Sequence, residues 1–193
     1  MKELEQIVFS KLENHPNRIN HTKGVIAVSE ILAIRYHENV LDAKIAALFH
    51  DYTKYEELSF HESVLAPEII LKYQDLTFMY HPYSAAEELK KIKPDISNKV
   101  LDAIKYHVWL RPGATVLEKI IFIADKSEPS RTFGDAKIIY ELAEKDLDEA
   151  VLYALESGIK HTKESGYQPS QEQIESYLYY KNKKESIWLS TKM

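Results

Sequence analysis

Apolar residues recur at three- and four-residue intervals over almost the whole chain, the spacing that lines one face of an α-helix. In "VIAVSEILAI", Val25, Val28 and Leu32 share a helical face, and the alternation that a strand needs breaks at Ala27–Val28. No segment sustains a period of two. The pattern predicts helices over 2–14, 21–37, 41–53, 62–73, 83–92, 95–108, 115–127, 136–145, 147–165 and 170–186. Loop signals separate several of them: "RPGA" from Arg111 to Ala114, "EPSRTFGD", and "SGYQPSQEQ". Asp95 after Pro94 is expected to cap one helix, and Ser170 before Gln173 another. No internal repeat, low-complexity segment or linker interrupts the pattern, so residues 1–193 read as a single all-α domain.

Composition narrows the function. The chain has 193 residues, 45% of them hydrophobic, enough for one sizeable core. A formal net charge of −5 argues against a grip on long nucleic acid, which needs a basic stripe, but leaves a short phosphate chain open. There is no cysteine, so any metal must be held by nitrogen and oxygen. The N-terminal "MKELEQIVFSKLENHP" lacks the apolar block of a signal peptide, and no apolar run reaches the roughly 18 residues of a membrane span. A cytoplasmic protein without membrane contact is expected.

The informative residues are polar groups at the ends of apolar faces. In "AALFHDYTK", Ala43, Ala47 and His50 share a face, with Ala46 and Asp51 beside it. Small residues there let a second helix approach closely, so His50 and Asp51 are expected to be buried. A buried carboxylate is costly unless a cation pairs with it. In "IIFIADKSEP", Asp125 follows Ile121 by four residues and ends a second hydrophobic helix. A salt bridge is the ordinary explanation, but the preceding helix offers only Lys119, on another face. His21 lies in line with Val25, Val28 and Leu32; His107 ends the stripe of Ala103 and Ile104; His81 precedes Pro82, a good helix starter. Each alone is more often an ordinary core histidine, whereas together they can converge on one pocket. Imidazole and carboxylate suit Fe, Mn, Zn or Ni. His15, His37 and His161 lie in polar surroundings and are assigned to the surface.

Cations stand next to these positions: Arg18 before His21, Lys54 after Asp51, Arg111 after His107 and Arg131 after Asp125. Lysine and arginine are usually solvated surface charge. Their placement here is also what a phosphate substrate requires. Arg18 and Arg131 are the stronger choices for phosphate contact, with Lys54 able to pair with a carboxylate instead.

His21, the His50–Asp51 dipeptide and the distant Asp125 together resemble the H…HD…D pattern of the HD-domain metal-dependent phosphohydrolases. The fuller run "RINHT", "ALFHDYTK", "HPYSAAEEL" and "AIKYHVWLRPGATVLEKIIFIADKSEPSR" is similar to the YqeK-type HD hydrolases, which split diadenosine tetraphosphate symmetrically into two ADP and carry iron. The likeness is strongest over a core of about 18–131 and looser over the C-terminal helices, 136–186. The chain departs from that family at His81-Pro82, where His-Gly is usual, at "HVWL" in place of His-Thr-Thr-Gly, and at "ADKSEP" in place of "ADYIEP".

The resemblance implies an HD-domain helical bundle with His21, His50, Asp51 and Asp125 as metal ligands. Arg18, Lys54, His81, His107 and Arg131 would be substrate-binding or supporting residues. One ion is expected, iron first with Mn, Ni or Zn as alternatives, and His81 and His107 could recruit a second. A water activated by the metal would attack phosphorus, with Asp51 taking a proton and a protonated His81 or His107 acting on the leaving phosphate. Val108–Leu110 and Tyr167 are candidates to stack on a base. Other readings are a different HD nucleotide phosphohydrolase, acting on mononucleotides or cyclic nucleotides, and a nucleotide-sensing module without turnover. A helical domain with unconnected histidines would bind no metal. The partner is a nucleotide or dinucleoside polyphosphate, and a homodimer is possible in this family.

Overall fold

The computed structural model describes residues 1–131 and 135–190, so residues 132–134 of the expected loop "EPSRTFGD" lie outside the described residues. Among the described residues the chain is all helical: α1 (Lys2–Lys11), α2 (Pro16–Arg35), α3 (Val40–Phe49), α4 (Leu58–Val64), α5 (Pro67–Lys72), a 3-10 turn (Thr77–Met79), α6 (Tyr80–Ile92), α7 (Asn98–Lys105), α8 (Val116–Ser127), α9 (Ala136–Ala143), α10 (Leu147–Glu164) and α11 (Gln171–Ser190). No described helix is long and apolar enough to cross a membrane.

The core is built around α3. Ala43 and the run from Ile45 to Phe49 are all buried, the mark of a helix surrounded by others. It packs chiefly along α2, where Ala43, Ala46 and Ala47 are fully buried, and against α7 and α8. One hydrophobic cluster runs from Val8 in α1 to Tyr180 in α11. A smaller one joins Leu65, Tyr73, Met79, Tyr80 and Tyr83, with Val108 and Trp109 at its edge.

Several boundaries differ from expectation, and each has a local cause. The helix expected over 62–73 is two helices, because Ala66 before Pro67 is extended at φ −63°, ψ 144°. The second helix starts at Pro16, whose missing N–H costs nothing at the first helical position, so His21 lies inside α2 instead of opening it. Likewise α6 starts at Tyr80, and Pro82 falls within its first turn, where no intrahelical partner is lost. Ser97, not Asp95, caps α7; its side chain accepts from the Val100 N–H, and Asp95 pairs with Lys93 at 2.8 Å. Ser170 does act as expected, accepting from the Gln173 N–H at 3.1 Å.

The consequential difference is at α3, which ends at Phe49. His50 is its C-cap and Asp51 stands in the turn beyond. That turn is tied down by Thr53, fully buried, whose hydroxyl donates to the His81 carbonyl at 2.9 Å and lies 2.7 Å from the Ser84 hydroxyl. The bond carries Asp51 to the first turn of α6. Because α2 and α3 meet through alanines, Ala46→Leu should overpack that contact and lower stability by about 1–3 kcal/mol in a urea denaturation.

Candidate metal centre

Helix ends place most of the centre. His21 comes from inside α2, His50 and Asp51 from the end of α3, His81 from the first turn of α6, His107 from the turn after α7, and Asp125 from the last turn of α8. All six are buried, Asp51 to 1% exposure. The structure brings them into two groups that share Asp51: His21, His50 and Asp51, and Asp51, His81 and His107. Asp125 joins the first, its Oδ1 lying 3.2 Å from His21 Nε2 and 3.8 Å from His50 Nε2. Asp51 Oδ2 faces His50 Nε2 at 3.3 Å, while Oδ1 faces His81 Nε2 at 3.0 Å and His107 Nε2 at 3.7 Å.

The other ring nitrogen of each histidine determines what these distances mean. His50 Nδ1 donates to Ala47 O at 2.6 Å, His81 Nδ1 to Phe78 O at 2.5 Å and His107 Nδ1 to Ile104 O at 2.8 Å. A carbonyl only accepts, so the proton sits on Nδ1 and a neutral ring presents the Nε2 lone pair inward. Burial, opposed by Asp51, pushes His81 below the ordinary imidazole range and His107 down to about 4. At neutral pH these two rings are therefore lone-pair donors, which disfavours the general-acid role expected of them. Nε2 faces Nε2 across 3.2 Å between His21 and His50 and across 3.4 Å between His81 and His107. Acceptors face acceptors across both groups, an arrangement that a divalent cation satisfies.

The carboxylates carry cations on their outer sides. Asp51 accepts from Arg18 at 2.5 Å and Lys54 at 3.1 Å. Burial raises its pKa, but its contacts with His50, Lys54 and His107 outweigh this and hold it well below the usual carboxylate range. Asp125 behaves alike: burial raises it, and its contacts with His21, Lys126 and Arg131 bring it far down. The ion pair that Lys119 could not supply comes from the loop, where Arg131 reaches Asp125 Oδ1 at 2.5 Å; Lys119 instead pairs with Asp148 at 2.6 Å. Arg111 is not at the centre. It pairs with the buried Glu118 at 2.5 Å and with Asp102 at 3.0 Å. His37 and His161 are exposed as expected, whereas His15 is half-buried with its ring stacked on Tyr55 at 3.7 Å.

Sequence reasoning missed three supporting residues besides Thr53. Lys126 donates to the carbonyls of His107 at 3.4 Å and Val108 at 3.2 Å, and burial lowers its pKa to about 8. His61, buried, has its Nδ1 2.9 Å from the Ser84 hydroxyl. Glu128, 1% exposed, accepts from His21 Nδ1 at 2.9 Å and from both Ser130 N–H and hydroxyl. Two local anomalies pointed to Glu128. A carboxylate at a helix C-cap opposes the helix dipole, and Gly24 in mid-helix costs roughly 1 kcal/mol relative to alanine. They share a cause, since a Cβ on Gly24 would collide with the Glu128 carboxylate. Gly24→Ala should accordingly weaken Mn²⁺ binding about tenfold in calorimetric titration by displacing the partner of His21. Unchanged affinity would mean that Glu128 does not orient this ring.

Comparison with known proteins agrees with this geometry. The HD domain family model matches residues 18–130. A symmetrical bis(5'-nucleosyl)-tetraphosphatase of Bacillus subtilis is 32% identical over 161 residues, covering 81% of this chain and 86% of that protein. The protein of the same name from Halalkalibacterium halodurans is 32% identical, covering 78% and 80%. A solved structure from Clostridium acetobutylicum, described as a predicted HD superfamily hydrolase involved in NAD metabolism, superposes with a TM-score of 0.84 at 27% identity over 94% of this chain and 97% of that one. With the His50–Asp51 pair at the meeting point of both histidine groups, the chain belongs to the HD-domain family.

Proposed function

We propose that this chain is a metal-dependent phosphohydrolase that splits diadenosine tetraphosphate symmetrically into two ADP. The observation that carries the reading is the pair of buried His/Asp groups joined through Asp51, all with Nε2 turned inward, in a chain that covers four-fifths or more of two symmetrical tetraphosphatases. His21, His50, Asp51 and Asp125 would hold one divalent ion, and Asp51, His81 and His107 a second. The donor geometry supports two ions over the single ion expected from the sequence. Iron is the ion implied by the family likeness, and the nitrogen and oxygen donors also suit manganese, nickel or zinc.

Bound divalent metal supplies Lewis-acid polarisation of a phosphoryl oxygen and lowers the pKa of a nearby water. The chain's own residues would do the rest. Asp51, held ionised, would be the carboxylate that takes a proton from an attacking water in this reading. Arg18 and Arg131 stand at the outer edge of the two carboxylates, where they can bind phosphate oxygens and stabilise developing charge. Glu128 keeps the His21 ring oriented.

Product analysis tests the reading directly. Metal-loaded protein given diadenosine tetraphosphate should yield ADP as sole product; ATP with AMP, or no turnover, would overturn it. His50→Ala and Asp125→Asn should each abolish hydrolysis and reduce bound metal together, measured by elemental analysis of the purified protein. Arg131→Ala should raise KM about tenfold with metal content unchanged. If metal is lost instead, Arg131 supports Asp125 and does not bind phosphate.

A further inference from the structure

Three hollows border the buried centre, each lined by one of its residues: His81, His21 or Asp125. One end is a hollow of about 400 Å³ lined by Lys54, Tyr55, His61, Phe78 and His81. The middle, about 180 Å³, is lined by Arg18, His21, Tyr55 and Arg131. The other end, about 410 Å³, is lined by Asp125, Lys126, Arg131, Ile139, Ser157 and Lys160. Tyr55 belongs to both the first end and the middle, and Arg131 to both the middle and the second end. The middle hollow therefore adjoins each of the other two, and His81, His21 and Asp125 fall in successive hollows.

Their chemistry differs in the same order. The middle is the smallest and presents two guanidinium groups, a place for phosphates with little room for a base. Each end has more than twice its volume, in the range of small-molecule sites. In the first end, Phe78 is 53% exposed, and Tyr55 is 49% exposed with one ring face covered by His15. Two exposed aromatic rings beside a cation-lined channel form a surface on which a base can stack. The residues expected from the sequence do not provide it: Trp109 packs edge-on to Phe78 at 5.8 Å within the small core cluster, and Tyr167, 72% exposed, lines none of the three hollows. The second end has an apolar floor of Ile139 and Ala154 and polar walls from Ser157 and Asp135, which are hydrogen bonded to each other.

We infer that the three hollows together bind a dinucleoside polyphosphate end to end, with its phosphates in the Arg18–Arg131 middle, one nucleoside against Phe78 and Tyr55, and the other in the Ile139–Ser157 hollow. This rests on the proposed hydrolase reading and adds where each part of the substrate goes. A symmetric substrate then meets two unlike ends while its phosphates lie beside His21, between Arg18 and Arg131.

The test uses manganese-loaded full-length protein, with KM measured for diadenosine tetraphosphate and the inhibition constant for inorganic tetraphosphate. Phe78→Ala and Ser157→Leu should each raise KM about tenfold, the first by loss of stacking and the second by filling its hollow. Together they should multiply to about a hundredfold, because the ends are separate. Inhibition by inorganic tetraphosphate, which needs only the middle, should not change in any of the three. Unchanged KM in both single variants, with wild-type protein still producing ADP, would overturn the assignment of the hollows alone. Parallel weakening of tetraphosphate inhibition would also overturn it, since the variants would then act through the centre. Absence of wild-type turnover would overturn the hydrolase reading and this inference with it.

Discussion

The structure depends on one buried carboxylate. Asp51 is 1% exposed, yet its two oxygens face three histidine rings at 3.0–3.7 Å and accept charge-assisted hydrogen bonds from Arg18 and Lys54. Such a group is tolerated only where positive charge compensates the lost hydration. Arg18 and Lys54 provide part of this from the outer side. On the inner side the partners are lone pairs, because the Nδ1 proton is committed to a backbone carbonyl in His50, His81 and His107. Divalent cation binding would complete that side, and stability and catalysis would then share one electrostatic requirement.

The helices can be read as the means of meeting that requirement. The alanine face of α3 lets α2 approach, which sets His21 beside His50. Ending α3 at Phe49 turns Asp51 toward α6, and Thr53 holds the turn to the His81 carbonyl. Lys126 ties α8 to the His107 turn, so the two sides of the centre are linked by hydrogen bonds as well as by packing.

Helix existence was legible because a 3.6-residue period survives along most of the chain, and His21, His50, Asp51, His81, His107 and Asp125 were legible as polar groups ending apolar stripes. Boundaries were less so where a proline begins a helix: Pro16 and Pro67 each moved one, since proline suits a first turn as well as it breaks an interior. Thr53, Lys126 and Glu128 left little periodic signal, because their partners are distant in sequence and their roles arise only once α2, α6 and α8 meet. Arg111 shows the converse error. Nearness to His107 in the chain suggested phosphate binding, but the guanidinium folds back on Glu118, whose burial next to the helix cap demands a cation.

The central claim is that a single carboxylate is common to two metal positions, and the most direct measurement is the number of Mn²⁺ ions bound per chain by electron paramagnetic resonance titration. The account predicts two ions in the unaltered protein, one in His107→Ala, and loss of both at comparable concentrations in Asp51→Ala. An Asp51→Ala protein that remained folded and still bound two ions with unaltered affinity would contradict it.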